Sequence, residues 1–82
     1  MPYVDAETRH CLVFGRQPKN AGELNYCVTL LLETYRRRHG TNYAVINEMI
    51  GALECAKLEL YRRIAAPYED TKCAKNGDVY ST

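Results

Sequence analysis

Apolar positions along the chain recur with the period of a helix. Leu24, Cys27, Val28, Leu31, Leu32 and Tyr35 fall at i, i+3, i+4, i+7, i+8 and i+11, one face of an amphipathic helix. Asn20 is placed to cap it, Glu23 stands three residues on at the capping-box position, and Gly40 follows the last turn. Arg36, Arg37, Arg38 and His39 fill that last turn, where cations complement the helix dipole. Beyond the turn Gly40-Thr41-Asn42, the residues Ile46, Met49, Leu53, Ala56, Leu60 and Ile64 step by three or four and predict the longest helix. Beside that stripe Gly51, Ala52, Cys55 and Ala56 keep the surface shallow enough for another helix to approach closely.

The flanks are shorter. Asp5 is positioned to cap a helix over 6–14, with Gly15 just past its end, and 15–20 reads as a connecting loop. Pro67 lacks an N–H and clashes with the preceding turn, so it either kinks the long helix or starts a fourth over 68–75 that Asn76-Gly77 terminates. Asp78 to Thr82 form a tail. No stretch alternates with period two. The pattern predicts an all-α fold in a single domain over 1–82: an antiparallel helical hairpin of about residues 20–39 and 43–66, a short N-terminal helix, and a kinked C-terminal helix and tail.

Eighty-two residues bury little, and a core this small is commonly completed by oligomerisation. A homo-oligomer is therefore expected. The 46% apolar and 26% charged content is that of a folded protein rather than a disordered one. A formal charge of +1 argues against a general nucleic-acid binder while leaving local basic patches available. No apolar run approaches the roughly 18–20 residues of a membrane span. Met1-Pro2-Tyr3-Val4-Asp5 has neither the basic region nor the apolar stretch of a signal peptide, so the expected location is the cytoplasm, without membrane attachment.

Candidate chemistry is sparse. Cys11, Cys27, Cys55 and Cys73 are irregularly spaced, form no C-x-x-C pair, and are not completed by His10 and His39 into a zinc-ligand set. Free thiols packed as small apolar residues are expected, with no metal and no cofactor. His10 and Cys11 are adjacent, which on a helix turns them about 100° apart and away from a dyad. Glu54 and Lys57 have the spacing of a surface ion pair, and the glycines are too scattered for a phosphate loop. Nothing here points to catalysis, and the protein is expected not to be an enzyme.

Tyrosine changes the picture. Seven Tyr against one Phe is an odd choice for packing alone, because a buried phenol needs a partner for its hydroxyl. Tyr35 precedes Arg36 to Arg38, and Tyr61 precedes Arg62 and Arg63. A ring face and a guanidinium fork together can stack on a base and grip a phosphate, or serve a protein interface. The bland alternative has the rings covering the core edge while the arginines face solvent. Tyr68 and Tyr80 in the C-terminal stretch suggest that it docks onto the body or a partner subunit.

Gly22-Glu23-Leu24-Asn25-Tyr26, the run from Ile50 to Arg63 (IGALECAKLELYRR), Ala66-Pro67-Tyr68-Glu69-Asp70 and Asn76-Gly77-Asp78-Val79-Tyr80 resemble a family of short uncharacterised proteins scattered among bacteriophages and bacteria. The resemblance covers roughly residues 20 to 80 and leaves the first twenty unmatched. It implies a viral or mobile-element origin and hands over no catalytic residues. Small phage proteins commonly act by binding, and by that analogy the leading expectation is a sponge. Such a sponge would hold a cyclic nucleotide or cyclic ADP-ribose-like immune signal, an anti-defence role, in pockets between subunits. Arg62 and Arg63 would contact phosphates, and Tyr26, Tyr61 or Tyr68 would stack on the base. Asn25, Glu54 or Asp78 would hydrogen-bond its edges, with Lys57 and Tyr80 completing the ligand-binding set. The competing expectation is a protein–protein interaction module that inhibits or adapts a host factor, with Arg36 to Arg38 as a partner-facing rim. A nucleic-acid regulator using the five arginines is a third reading, against which the net charge counts.

Overall fold

A computed structural model describes residues 4–80 of the chain. The signal-peptide reading of Met1-Pro2-Tyr3 and the Ser81-Thr82 end of the tail lie outside the described residues. The described part is all-α: α1 (Ala6–Val13), α2 (Ala21–His39), α3 (Tyr43–Leu60), a π-helical turn (Tyr61–Ala65) and α4 (Ala66–Asn76). Among the described residues there is no strand. By their internal packing they divide into two units after Ile46, a border inside α3.

In the first unit, local hydrogen bonds set every helix end. The Asp5 carboxylate accepts from Thr8 N at 2.8 Å and opens α1. Gly15, at φ 101°, turns the chain away after it. Asn20 Oδ1 accepts from Glu23 N at 2.9 Å to open α2, and Asn42 Oδ1 accepts from Val45 N at 3.0 Å to open α3. Glu23 departs from the simple capping box. Its Oε1 accepts from Lys19 N at 3.0 Å and from the Arg16 guanidinium at 2.9 Å, pinning the loop to the first turn of α2. At the far end Arg36 forks onto Glu33 at 2.7 and 2.6 Å and reaches Thr41 Oγ1 at 2.7 Å. It thereby ties the helix end to the turn that Gly40, at φ 95°, makes possible.

α1 lies against α2, and among the described residues only Leu12 and Val45 are buried. The half-buried positions of α2 are Gly22, Glu23, Tyr26, Cys27, Leu30, Leu32, Glu33 and Arg36. The face the periodicity marks as core is thus only partly covered: Leu24 is 54% and Leu31 72% exposed, with Val28 and Tyr35 also exposed. The reason is geometric, since an eight-residue helix is too short to blanket a nineteen-residue partner.

The second unit is one continuous helix from α3 through the π turn to α4. Pro67 resolves as a kink rather than a break. The Ala66 N–H bonds Tyr61 O, five residues back, so the turn widens just before the residue that has no N–H to give. Pro67 then stands in the first turn of α4, where a missing donor costs least. Gly77, at φ 90°, ends the helix. Leu53, Leu60 and Ile64 of the expected core stripe are exposed, as are Gly51, Ala52, Cys55 and Ala56 beside it. A lone helix has no second layer within its unit to cover them.

Candidate functional site

Asn25 and Tyr26 belong to the first unit. Asn25 is exposed and its Oδ1 accepts from Thr29 Oγ1 at 3.4 Å, while Tyr26 is half-buried. The remaining expected ligand-binding residues, Glu54, Lys57, Tyr61, Arg62, Arg63, Tyr68, Asp78 and Tyr80, belong to the second unit and are all exposed. The helix gathers them in small local groups. Glu54 and Lys57 pair at 3.5 Å, as their spacing predicts. Arg62 and Arg63 both reach back to Glu59, at 3.1 and 3.5 Å, so the carboxylate already offsets part of the charge a phosphate would meet. Lys72 lies over the Tyr68 ring, 5.4 Å from its centroid. Asp78 accepts from Tyr80 N at 2.9 Å and turns the tail.

The π turn changes what these groups can do together. In an uninterrupted α-helix Tyr61 and Tyr68, seven apart, would stand nearly one above the other. The widened turn takes up about one residue, so the two rings are offset by roughly a third of a turn. A single helix therefore does not build a two-ring clamp for a base.

A concavity not foreseen from the sequence lies in the first unit, a shallow depression of about 390 Å³ lined by Glu7, Thr8, Cys11, Arg16, Lys19 and Glu23. It contains none of the expected ligand-binding residues. The capping residue Glu23 was the available signal, but its reach to Arg16 across seven positions leaves no mark in local spacing. The Lys19 N–H and the Arg16 guanidinium hold the Glu23 carboxyl below its ordinary pKa, against a smaller opposing effect of burial. Hydrogen bonding from Arg36 likewise lowers Glu33, and that from the Thr8 backbone N–H lowers Asp5.

The four cysteines are free thiols, Cys11 and Cys27 half-buried, Cys55 and Cys73 exposed. The expectation that the free thiols pack as small apolar residues is corrected for Cys55 and Cys73, both on the second unit, whose helix has no second layer to cover them. His10 packs tilted against Phe14 with ring centroids 4.7 Å apart, and His39 against Tyr35 at 4.2 Å, so both rings are engaged with aromatic neighbours one helical turn away. Among the described residues no three His, Cys, Asp or Glu side chains gather as metal ligands, and no helix is long and apolar enough to cross a membrane.

What remains conspicuous is apolar. On α2 the exposed Leu24 and Leu31 and the more covered Val28 and Tyr35 follow at i, i+7, i+4 and i+11, a continuous stripe that ends at Arg36 to Arg38. On the second unit Ile50, Leu53, Leu60 and Ile64 are open in the same way.

No curated protein and no solved structure matches the chain. Residues 1–79 match a domain of unknown function (DUF6899), a span that takes in the first twenty residues, and the chain belongs to that family.

Proposed function

We propose that the protein acts by binding rather than by turnover, as a protein-interaction module whose working surface is the open face of α2. The observation that carries this reading is the stripe Leu24, Val28 and Leu31, with Leu24 and Leu31 more than half exposed, on a helix whose two ends are fixed by side-chain hydrogen bonds. An amphipathic helix with anchors at such spacing is the form that lies in an apolar groove of another protein. The basic end, where Glu33 offsets part of the charge of Arg36 and Arg37, suits a groove with an acidic rim. Inhibition or adaptation of a host protein in a bacterial cytoplasm is the role that fits, and a phage or mobile-element origin with an anti-defence purpose belongs to the same proposal.

A second reading, the nucleotide sponge, draws on Tyr61, Arg62 and Arg63. All three are exposed and sit on the π turn, a rare element found disproportionately at functional sites. Because no two-ring clamp forms on one helix, its pocket would have to be completed by a second subunit of a homo-oligomer.

One preparation separates the readings. The protein is purified natively from its host, its mass is measured, and the material is denatured to identify released small molecules. The same preparation enters a thermal-shift panel of linear and cyclic nucleotides. The interaction reading expects a stoichiometric host protein that is lost in Leu31→Asp, with no nucleotide released and no shift. A released nucleotide, or a shift of several degrees with one nucleotide class that Arg62→Ala abolishes, would overturn it in favour of the sponge.

A further inference from the structure

The second unit raises a question that α2 does not answer. Its helix carries Ile50, Leu53, Leu60 and Ile64 in the open, each more than two-fifths exposed, and has no second layer of its own. Charge along this helix is unevenly divided. Residues 47–60 hold three carboxylates, Glu48, Glu54 and Glu59, against the single cation Lys57. Residues 61–76 hold four cations, Arg62, Arg63, Lys72 and Lys75, against Glu69 and Asp70. The two halves therefore carry net charges of −2 and +2. The midpoint of 47–76 falls at the π turn, at Tyr61 and Arg62.

We infer that the occupant of this face is a second copy of the same helix, packed antiparallel about a two-fold axis near the π turn. Antiparallel overlap sets the acidic half of each copy against the basic half of the other and opposes the helix dipoles head to tail. Parallel overlap would set like against like along the whole length. A two-fold pairing is also self-complementary: Leu60 and Ile64, nearest the axis, cover their own counterparts, Ile50 and Leu53 lie along α4 of the other copy, and no further copies are recruited. Different residues from those of α2 carry this inference, and it is independent of what α2 binds.

Sedimentation of the full chain between about 1 and 100 μM tests it. The expected mass is twice the 9.4 kDa of one chain, reduced to one chain by Leu60→Glu. Salt separates the orientations, since it screens attraction between the halves in an antiparallel pair and repulsion in a parallel one. Self-association should weaken at least several-fold between 0.05 and 0.5 M salt, by order of magnitude. Because Leu60→Glu could act on folding, two charge variants provide a second route. Glu48→Lys/Glu54→Lys/Glu59→Lys makes both halves basic, and Arg62→Glu/Arg63→Glu makes both acidic. Each alone should sediment as a monomer, and an equimolar mixture should restore the dimer mass. A monomeric wild-type chain at 100 μM, association that strengthens with salt, or charge variants that dimerise alone as well as the wild type would each overturn the inference.

Discussion

Replacing Pro67 by alanine isolates what the pyrrolidine ring does to the long helix. In a straight α-helix the residue at this position would donate to Arg63 O; proline cannot, and its ring presses on that same carbonyl. The observed response is a widened turn, with Ala66 N–H bonded to Tyr61 O, and Pro67 placed in the first turn of α4. The helix has thus escaped part of the roughly 3 kcal/mol by which proline trails alanine in a helix interior. It still lacks one backbone hydrogen bond, worth about 0.5–1.5 kcal/mol net. These figures bracket the gain on substitution at about 0.5–3 kcal/mol. For a domain of this size that raises the thermal midpoint by about 4–8 °C per kcal/mol, or at least about 2 °C. Thermal unfolding followed by far-UV circular dichroism gives the midpoint. Amide hydrogen exchange at residues 61–67 reports whether the turn has tightened to ordinary α spacing. Closing the turn rotates everything downstream by about 100°, so a more stable Pro67→Ala chain should pair with itself less well. A midpoint that is unchanged or lower would refute the assignment of the π turn to Pro67 and point to outside packing as its cause.

Two further outcomes follow from the caps. Asn20→Ala removes the acceptor for Glu23 N and should cost about 1 kcal/mol, with Asn20→Asp nearly neutral, as read from urea midpoints. Asp5, Glu23 and Glu33 all have folded-state pKa values below their ordinary ones, so their contribution is complete above the unfolded carboxylate range near 4. It is lost as pH falls from there through the depressed native values. Thermal midpoints between pH 7 and 2.5 should therefore decline steeply below about pH 4, less so in Glu23→Gln, and equal acid limbs for the two proteins would contradict the sign.

Helix ends were the most legible part of this chain because they are local. Asp5, Asn20, Gly40 and Gly77 act within four residues of where they stand, and each does what its chemistry predicts. Two things were illegible for different reasons. Steps of three and four assume that the turn never changes, so the stripe through Leu60 and Ile64 could be drawn straight across a π turn that no spacing announces. Pro67 signalled a disturbance, but whether a proline kinks or breaks a helix depends on whether the preceding turn can widen. The second limit is deeper. Periodicity reports that Leu24, Val28 and Leu31, or Leu53 and Leu60, share a face, and it is silent about what lies across from it. The same pattern serves an intramolecular core and an intermolecular seam, since both remove the same apolar area from water.

That ambiguity bears directly on the candidate site. The ten residues singled out for a ligand were chosen for their chemistry, as rings beside cations and carboxylates beside amides. The structure places most of them on an exposed helix, where such groups also pair with their own neighbours: Arg62 and Arg63 with Glu59, Lys57 with Glu54. Exposed pairs of this kind contribute little to stability. Their absence of cost leaves them available to steer a charged partner, and the unequal division of charge between the two halves of the helix gives that steering a direction. An apolar stripe alone would specify neither orientation nor partner. On a helix with an acidic and a basic half, it specifies antiparallel pairing with its own copy, and the salt dependence of association is where that specificity becomes measurable.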